Sequence, residues 1–303
     1  MKKSHLRLIL NGKSAQRPDV RAAVKAVRSA GHDVSVRVTW EAGDTQRLTG
    51  EAIAQASGEG IDVLVAGGGD GTVNEVVSAA LDFLGPDVAV PFSFGVLPLG
   101  TANDFARGIG LDPDDLMQCL KLAARGTAKR TDVGMVNGRA FVNVATGGFG
   151  TSVTTQTDPK LKKMLGGAAY IFTGLHRFRD LVASSGRITA DGFEWEGAFL
   201  ALAIGNGKQA GGGVELCPDA ILDDGLLDLT VIPSPTADDV PDLLVQVLEK
   251  GPESLREAVV MKKLNAVTVE SDNPLQINLD GEPLHSKKLE IVALPRRIEF
   301  KRP

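Results

Sequence analysis

The stretch that decides the fold is Ile61-Asp62-Val63-Leu64-Val65-Ala66-Gly67-Gly68-Gly69-Asp70-Gly71-Thr72. Its first half, Ile61 to Ala66, is a nearly continuous apolar run, which is typical of a parallel β-strand covered on both faces. Its second half is rich in glycine and leads into a helical pattern from Thr72 to Phe83. A strand, a glycine turn and a helix in this order favour phosphate binding, because backbone N–H groups and the helix N-terminus face the turn.

Asp70 is the unexpected residue in this turn, because a carboxylate repels phosphate. We interpret it as holding a divalent cation, or a water on that cation, beside the phosphates. The alternative is a plain strand–helix turn in which Asp70 caps the helix. The turn is not a Walker loop, since no Gly-Lys-Ser/Thr follows, and it is not GxGxxG.

The residues around this stretch alternate between strand and helix patterns, which predicts an open, doubly wound α/β sheet. The predicted strands are Leu6 to Leu10, Val34 to Thr39, Ile61 to Ala66 and Phe94 to Leu97, and the predicted helices are Pro18 to Ala30, a helix capped by Asp44, Thr72 to Phe83, and Asp114 to Ala124.

The pattern changes near residue 134, and the second half is mainly antiparallel β. Asn137-Gly138 and Asp191-Gly192 are hairpin signals. Further strands are predicted at Phe199 to Ile204, Leu226 to Ile232, Ala266 to Glu270 and Leu275 to Leu279, with helices near Lys160 to Leu181 and Thr236 to Lys250. We therefore expect two domains, 1–134 and 135–289, with no low-complexity linker between them.

A second loop follows the next parallel strand and reads Leu97-Pro98-Leu99-Gly100-Thr101-Ala102-Asn103-Asp104-Phe105. Loops at the carboxyl ends of neighbouring strands converge on the ligand crevice of such a sheet. Thr101 offers a hydroxyl to a phosphate, while Asn103 and Asp104 suit the cap of the next helix. Capping explains Asn103 about as well as ligand binding does.

Composition excludes several classes of protein. The net charge is −5 and aromatic residues make up 5% of the 303, so neither a basic field nor stacking platforms for nucleic acid are expected. The two cysteines, Cys119 and Cys217, form no CxxC pair and predict free thiols in a reducing cytoplasm. No apolar run approaches 18 residues, so no transmembrane segment is expected.

Together, the motifs resemble those of the diacylglycerol-kinase-type lipid kinases, in particular the bacterial YegS-like lipid kinases. The Gly-Gly-Asp-Gly-Thr turn alone is shared with NAD kinases and 6-phosphofructokinases, and the rest of the set narrows the resemblance. That set is Asn11-Gly12-Lys13-Ser14, Thr39-Trp40-Glu41, the loop from Leu97 to Phe105, Ala145 to Gly150, Gly205-Asn206-Gly207, Gly211 to Gly213, Cys217-Pro218, Asp223 to Leu227 and Leu279 to Glu282. Asn11-Gly12 is the YegS-like form, where the wider group tends to have Asn-Pro, and this weakens diacylglycerol as the assumed acceptor.

The resemblance implies an N-terminal nucleotide-binding domain and a C-terminal β-rich sandwich domain with the active site in the cleft between them. It also implies that the final strand, Ile291 to Leu294 or Arg297 to Phe300, returns to the first domain, which would then include roughly 290–303. ATP and Mg²⁺ are the implied cofactors, with Ca²⁺ as an alternative metal. The implied acceptor is a lipid hydroxyl at the membrane surface, with phosphatidylglycerol, diacylglycerol and a sphingoid base left open.

Site residues carry over from the resemblance one by one. The implied ATP contacts are Thr39, Gly69, Asp70, Gly71, Thr72, Val73, Asn74, Glu75 and Thr101. Glu282 is the implied general base and Asp70 the second catalytic residue. A second metal site carries over to the Asp224 carboxylate and the carbonyls of Ile221 and Leu226. Asp132 is a further candidate, for an acidic network with Asp70.

Three questions stay open from the sequence. Basic residues flank an apolar segment between 160 and 179, which we interpret first as an ordinary packed helix and second as a membrane contact. The expected location is the cytoplasm with transient membrane association, and the oligomeric state is unknown. The alternative functions are a kinase of a soluble nucleotide or sugar and a catalytically silent nucleotide- or lipid-binding module.

Overall fold

A computed structural model describes residues 3–148, 183–235 and 258–303. The chain divides into two compact units, one of Met1–Val133 with Leu294–Pro303 and the other of Gly134–Ala293. The helices predicted at Lys160 to Leu181 and Thr236 to Lys250, and the end of the Ala145 to Gly150 motif, lie outside the described residues.

The first unit is a parallel sheet with helices, as predicted. Its strands are β1 (His5–Asn11), β2 (Asp33–Thr39), β3 (Val63–Gly68) and β4 (Ser93–Pro98), in the order β4-β3-β1-β2. The helices are α1 (Pro18–Ser29), α2 (Asp44–Glu59), α3 (Asp70–Leu84), α4 (Asp104–Gly108) and α5 (Leu116–Arg125), with a short 3-10 helix at Gly12–Ser14. Helix α1 packs against α5, and α2 packs against α3.

Strand β3 lies at the centre of this unit and is buried along its whole length. Leu64 and Val65 are 0% exposed, since helices cover both faces of a doubly wound sheet. The order β4-β3-β1-β2 places the carboxyl ends of β3 and β4 side by side, because the two strands pair in parallel from Val63 with Ser93 to Gly68 with Pro98. The glycine turn and the second loop therefore begin at one edge of the sheet.

The second unit is an antiparallel β structure. Its strands include β6 (Arg139–Phe141), β7 (Val144–Gly147), β8 (Ser184–Ala190), β9 (Phe193–Gly205), β12 (Leu227–Pro233), β13 (Val260–Leu264) and β14 (Ala266–Leu279), with two short strands, β10 (Gln209–Ala210) and β11 (Val214–Glu215). The order is β13-β12-β9-β7-β14-β15, where β15 is Glu282–Lys301. The core of this unit contains Phe141, Phe199, Leu202, Ile204 and Leu279, each 0% exposed.

Two strands run from one unit into the other along the chain, β5 (Ala128–Val136) and β15. Phe300 of β15 pairs in parallel with Phe94 of β4, so the strand that returns to the first unit is the second of the two predicted segments. The predicted fold class, an α/β unit followed by a β-rich unit with a returning C-terminal strand, is confirmed.

The structure differs from the sequence prediction at Ala266 to Leu279 and at Asp44, among other places. Residues Ala266 to Leu279 form one strand with a register shift between Glu270 and Leu275, where two strands were predicted. A β-bulge absorbs extra residues without ending the strand. Asp44 does not cap α2, which it begins; its carboxylate instead accepts hydrogen bonds from the N–H groups of Trp40 and Glu41, 2.7 and 3.2 Å away.

Candidate functional site

The glycine turn and the second loop contact each other through their backbones. A Cβ atom built on Gly100 would lie 2.5 Å from the Cα of Gly69, so neither position leaves room for a side chain that points at the other loop. The N–H of Leu99 donates to the carbonyl of Gly68 at 2.8 Å. The two predicted phosphate loops therefore form one continuous surface.

Asp70 fastens this pair of loops together. Its Oδ1 accepts from the N–H of Phe105 at 2.8 Å, and its Oδ2 accepts from the N–H of Asp104 at 3.1 Å. Those two N–H groups begin α4, so Asp70 caps a helix 34 residues further along the chain. Asp70 is thus a helix cap, as the alternative interpretation proposed, but it caps α4. Both of its oxygens hold the start of α4, and with it the second loop, in place.

Burial raises the pKa of Asp70 above its ordinary value, with a contribution from the nearby charge of Asp104; the hydrogen bonds from Phe105 and Asp104 act in the opposite direction without cancelling it. The raised pKa means that the folded chain disfavours the charged form of Asp70. The contribution of this group to the free energy of unfolding therefore falls as the pH rises from the ordinary pKa of an aspartate through the raised one. A positive charge near Asp70 would relieve this cost.

Asn103 closes the second loop on itself and does not cap α4 with its side chain. It stands at the N-cap position with φ of 52°, and its Oδ1 accepts from the N–H of Gly100 at 2.8 Å while its Nδ2 donates to the carbonyl of Gly100 at 2.9 Å. The loop therefore turns tightly around Thr101, which lies exposed at its tip.

Among the other predicted ATP contacts, Val73 and Asn74 are buried in α3. Val73 therefore reaches a ligand only through its backbone. The Oδ1 of Asn74 has no hydrogen-bond partner within the described part of the chain, although the residue is 3% exposed. A buried amide oxygen without a partner is costly. The N-terminus of α3 and the Asp70 carboxylate in its first turn fit a bound phosphate group and its cation by chemical type.

Thr39 ends β2 at the same edge of the sheet. It pairs with Asn11 of β1, and a Cβ atom built on Gly12 would lie only 2.3 Å from the carbonyl oxygen of Thr39. The next residue, Trp40, is 85% exposed, and its backbone N–H donates to Oδ2 of Asp44. The four loops after β1, β2, β3 and β4 all begin at this edge because the strands are parallel.

Glu282 stands at the start of β15, directly after a two-residue turn. Asp280 and Gly281 both have positive φ, 49° and 110°, and Leu279 pairs with Glu282 across them. This is the geometry of a type I′ hairpin, for which Asp-Gly is a preferred pair. The Glu282 side chain is exposed.

Asp280 anchors this turn and is not available as a base. Its Oδ2 accepts from the N–H groups of Val142 and Asn143 at 2.6 and 3.0 Å, and its Oδ1 accepts from the N–H of Val144 at 2.8 Å. The carboxylate thus ties the hairpin to the chain that enters β7. Asp132 is also engaged: its Oδ1 accepts from the N–H of Arg296 at 2.6 Å. The acidic network of Asp132 with Asp70 stays a prediction.

Replacement of Asp280 by alanine is expected to lower the free energy of unfolding by about 3 kcal/mol or more, since three N–H groups lose a charged acceptor worth roughly 1.5–3 kcal/mol each. The matched control is Asn278→Ala, which removes a single hydrogen bond, to the N–H of Gly281 in the same turn. Urea denaturation of both variants measures the difference. Equal losses for the two variants would show that Asp280 is an ordinary turn residue.

The loop predicted as a second metal site lies before β12. One oxygen of Asp224 accepts from the N–H of Leu226 at 3.0 Å, and the other lies 3.3 Å from Nζ of Lys263. Within the described ranges, no three His, Cys, Asp or Glu side chains converge on one metal position. The oxygens around Nζ of Lys263 are nevertheless hard donors, the ligand type that Mg²⁺ and Ca²⁺ prefer.

Lys263 was not predicted from the sequence. It lies on β13 directly opposite Asp228 of β12, and only the pairing of these two strands reveals the contact. The other residue role that the sequence analysis missed was that of Asp70 as a cap of α4.

Both cysteines are free and buried, and burial raises the pKa of Cys217 to about 12 and that of Cys119 to about 11, so neither thiol ionises readily.

Comparison with known proteins agrees with this description. The family model of the diacylglycerol kinase catalytic domain matches residues 5–136. The model described as the YegS C-terminal NAD kinase beta sandwich-like domain matches residues 143–301. The two matches define the class of protein: a diacylglycerol-kinase-type catalytic domain followed by a β-sandwich-like domain.

Two curated relatives narrow the class. A probable lipid kinase YegS-like of Pseudomonas aeruginosa (strain UCBPP-PA14) is 48% identical over 297 residues, which cover 97% of this chain and 93% of the relative. A second, from Xanthomonas euvesicatoria pv. vesicatoria (strain 85-10), is 43% identical over 100% of this chain and 97% of the relative. The chain belongs to the family of YegS-like probable lipid kinases.

Solved structures agree at the level of the fold. Two crystal structures from Bacillus anthracis str. Sterne each match 100% of this chain. One has a TM-score of 0.77 at 24% identity and is covered over 96% of its length. The other has a TM-score of 0.69 at 20% identity and is covered over 98% of its length; the first is described as a putative diacylglycerol kinase and the other as a diacylglycerol kinase. In the part of the chain that the structure describes, no helix has the length and apolar character needed to cross a bilayer.

Proposed function

We propose that this protein is an ATP-dependent lipid kinase that transfers the γ-phosphoryl group to a hydroxyl of a lipid of the phosphatidylglycerol or diacylglycerol type. The observation that carries the proposal is the joined pair of loops, in which Gly69 meets Gly100 and Asp70 caps α4. Phosphoryl transfer depends mainly on positioning and charge stabilisation, and a rigid backbone cradle suits both.

The ATP phosphates would lie against the N-terminus of α3. The 15 residues of α3 begin at Asp70, and its first turn presents backbone N–H groups at the end of a buried strand. Thr72 and Thr101 would supply hydroxyl groups, and Asn74 would orient a partner through its unsatisfied oxygen. Thr39, Gly71 and Glu75 complete the proposed contacts.

Mg²⁺ on the phosphates would neutralise the charge that develops during transfer. Asp70 would hold this cation, or a water bound to it, while its own hydrogen bonds to α4 persist. Asp224, with the carbonyls of Ile221 and Leu226, is the proposed site of a second, structural Mg²⁺ or Ca²⁺.

Glu282 is the proposed general base. An aliphatic hydroxyl is too weak an acid to ionise before the reaction, so proton removal accompanies transfer. The type I′ turn fixes the backbone next to Glu282, and the exposure of its side chain leaves the carboxylate free to accept a proton from an incoming hydroxyl. We further propose that the enzyme meets its lipid transiently at a membrane surface from the cytoplasm.

The deciding experiment incubates the purified full-length protein with radiolabelled ATP, Mg²⁺ and vesicles that contain phosphatidylglycerol, diacylglycerol or a sphingoid base, followed by chromatography of the lipids. Label on one lipid supports the proposal and names the acceptor. Label only on a soluble metabolite in parallel reactions would replace the proposal with the soluble-substrate kinase. ATP binding without any labelled product would indicate a catalytically silent module.

A further inference from the structure

A single lysine occupies the centre of the loop proposed to hold the second metal. Nζ of Lys263 lies 2.7 Å from the carbonyl oxygen of Asp219, 2.9 Å from Oδ2 of Asp228 and 3.3 Å from Oδ2 of Asp224. An ammonium group has three donors, and three oxygens surround it here. Two of those oxygens are carboxylate oxygens and one is a backbone carbonyl oxygen, which are the ligand types that Mg²⁺ and Ca²⁺ prefer.

The strands keep Lys263 in this position. It faces Asp228 directly across the β12–β13 pair, and Asp228 is buried with its side chain 10% exposed. Burial raises the pKa of Asp228, helped by the charges of Asp224 and Asp219 and opposed by Lys263. Three aspartates crowded at this point favour a positive charge of some kind near them.

We propose that the ammonium group of Lys263 is the resident cation of this loop, and that a divalent cation reaches Asp224 only by displacing it. The inference rests on the proposed role of Asp224 as a metal ligand. A divalent cation on Oδ2 of Asp224 would take an oxygen that Nζ of Lys263 already contacts, and like charges a few ångströms apart repel each other. The native loop therefore keeps its shape without metal and binds divalent cations weakly.

The test replaces Lys263 with glutamine or methionine in the full-length chain and measures cation binding without ATP or lipid. Lys263→Gln keeps hydrogen-bond donors and guards against failure of the methionine variant to fold. The matched control is Lys262→Met. Lys262 is the preceding residue on β13, and its Nζ lies 5.8 Å from the ring centroid of Phe193, away from the aspartates.

Calorimetric titration and thermal unfolding with MgCl2 or CaCl2 provide the readout, at ionic strength matched with KCl because salt screens charged pairs. The Lys263 variants are expected to bind Ca²⁺ or Mg²⁺ at least about tenfold more tightly than the native chain, and to melt at a lower temperature without the cation and regain stability with it. Lys262→Met and the native chain should respond alike.

The variant Lys263→Gln/Asp224→Ala should lose this gain in cation affinity, because the divalent cation then has one carboxylate ligand fewer. Equal cation affinity in the native chain and in both Lys263 variants would overturn the proposal, as would a gain that survives Asp224→Ala. These readouts are independent of phosphoryl transfer. A chain that labels no lipid can still give either answer, so the failure of this inference is distinguishable from the failure of the proposed kinase function.

Discussion

Replacement of Glu282 by glutamine is expected to lower lipid-kinase turnover by roughly 10²–10⁴-fold, the usual contribution of general acid–base catalysis. Glutamine keeps the size of the side chain and its hydrogen bonding but cannot accept the proton of the acceptor hydroxyl. The turn should persist, because its geometry depends on Asp280, Gly281 and the three N–H groups bound to Asp280. Initial rates at saturating ATP and lipid measure the effect.

ATP binding serves as the internal control for this variant, since Glu282 is proposed for the acceptor side and the proposed nucleotide contacts belong to the other unit. The matched variant is Glu290→Gln. Glu290 lies on the same strand, is also exposed and forms an ion pair with Lys288 at 3.1 Å. It should retain normal turnover. Near-normal turnover in Glu282→Gln, or a defect confined to ATP affinity, would reduce Glu282 to a turn residue. Asp280 is then a poor replacement, because its oxygens already accept three N–H groups.

The second large effect is expected for Asp70→Asn. Loss of the carboxylate removes charge stabilisation beside the phosphates, and comparable electrostatic elements contribute about 10²–10³ in turnover, or roughly 3–4 kcal/mol. The structure adds a stability term, since Asn keeps only one acceptor for the two N–H groups of Asp104 and Phe105. The fold should survive, because asparagine is itself a good helix cap.

Asp115→Asn separates these two effects. Asp115 caps α5 in the same unit by the same chemistry, through the N–H of Gln118 at 2.9 Å, and it belongs to neither loop. Both variants are compared for melting temperature and for turnover. Asp115→Asn should lose at most about 1 kcal/mol of stability and no turnover. If Asp70→Asn behaves like Asp115→Asn in both measurements, Asp70 is a cap and not a catalytic residue.

Local chemistry explains where the sequence prediction succeeded. Asn137-Gly138 and Asp191-Gly192 predicted two hairpins, and the structure pairs Val136 with Arg139 and Ala190 with Phe193 across them. Such turns depend on the φ angles that two adjacent residues tolerate. The apolar run before Gly67 likewise predicted the buried strand, because continuous burial on both faces demands continuous apolar side chains.

The candidate site was predicted less completely, because its contacts join distant parts of the chain. The turn residues Gly69 to Thr72 were evident from the local sequence, but nothing in their spacing indicates that Asp70 accepts from the N–H groups of Asp104 and Phe105. The same holds for Asp44, whose position before an apolar helix predicted a cap, whereas its carboxylate holds the preceding loop.

By itself, the sequence determined the two architectures, the glycine turn after β3 and the hairpin turns at Asn137-Gly138 and Asp191-Gly192, since each follows from the conformational preferences of neighbouring residues. Only the tertiary structure decided which partners the charged side chains meet. Asp280 reaches Val144, 136 residues away in sequence, and Lys263 reaches Asp228 through the register of β12 and β13. Strand register is fixed by the packing of a whole sheet, and a shift of one residue between β12 and β13 would turn Lys263 to the face opposite Asp228.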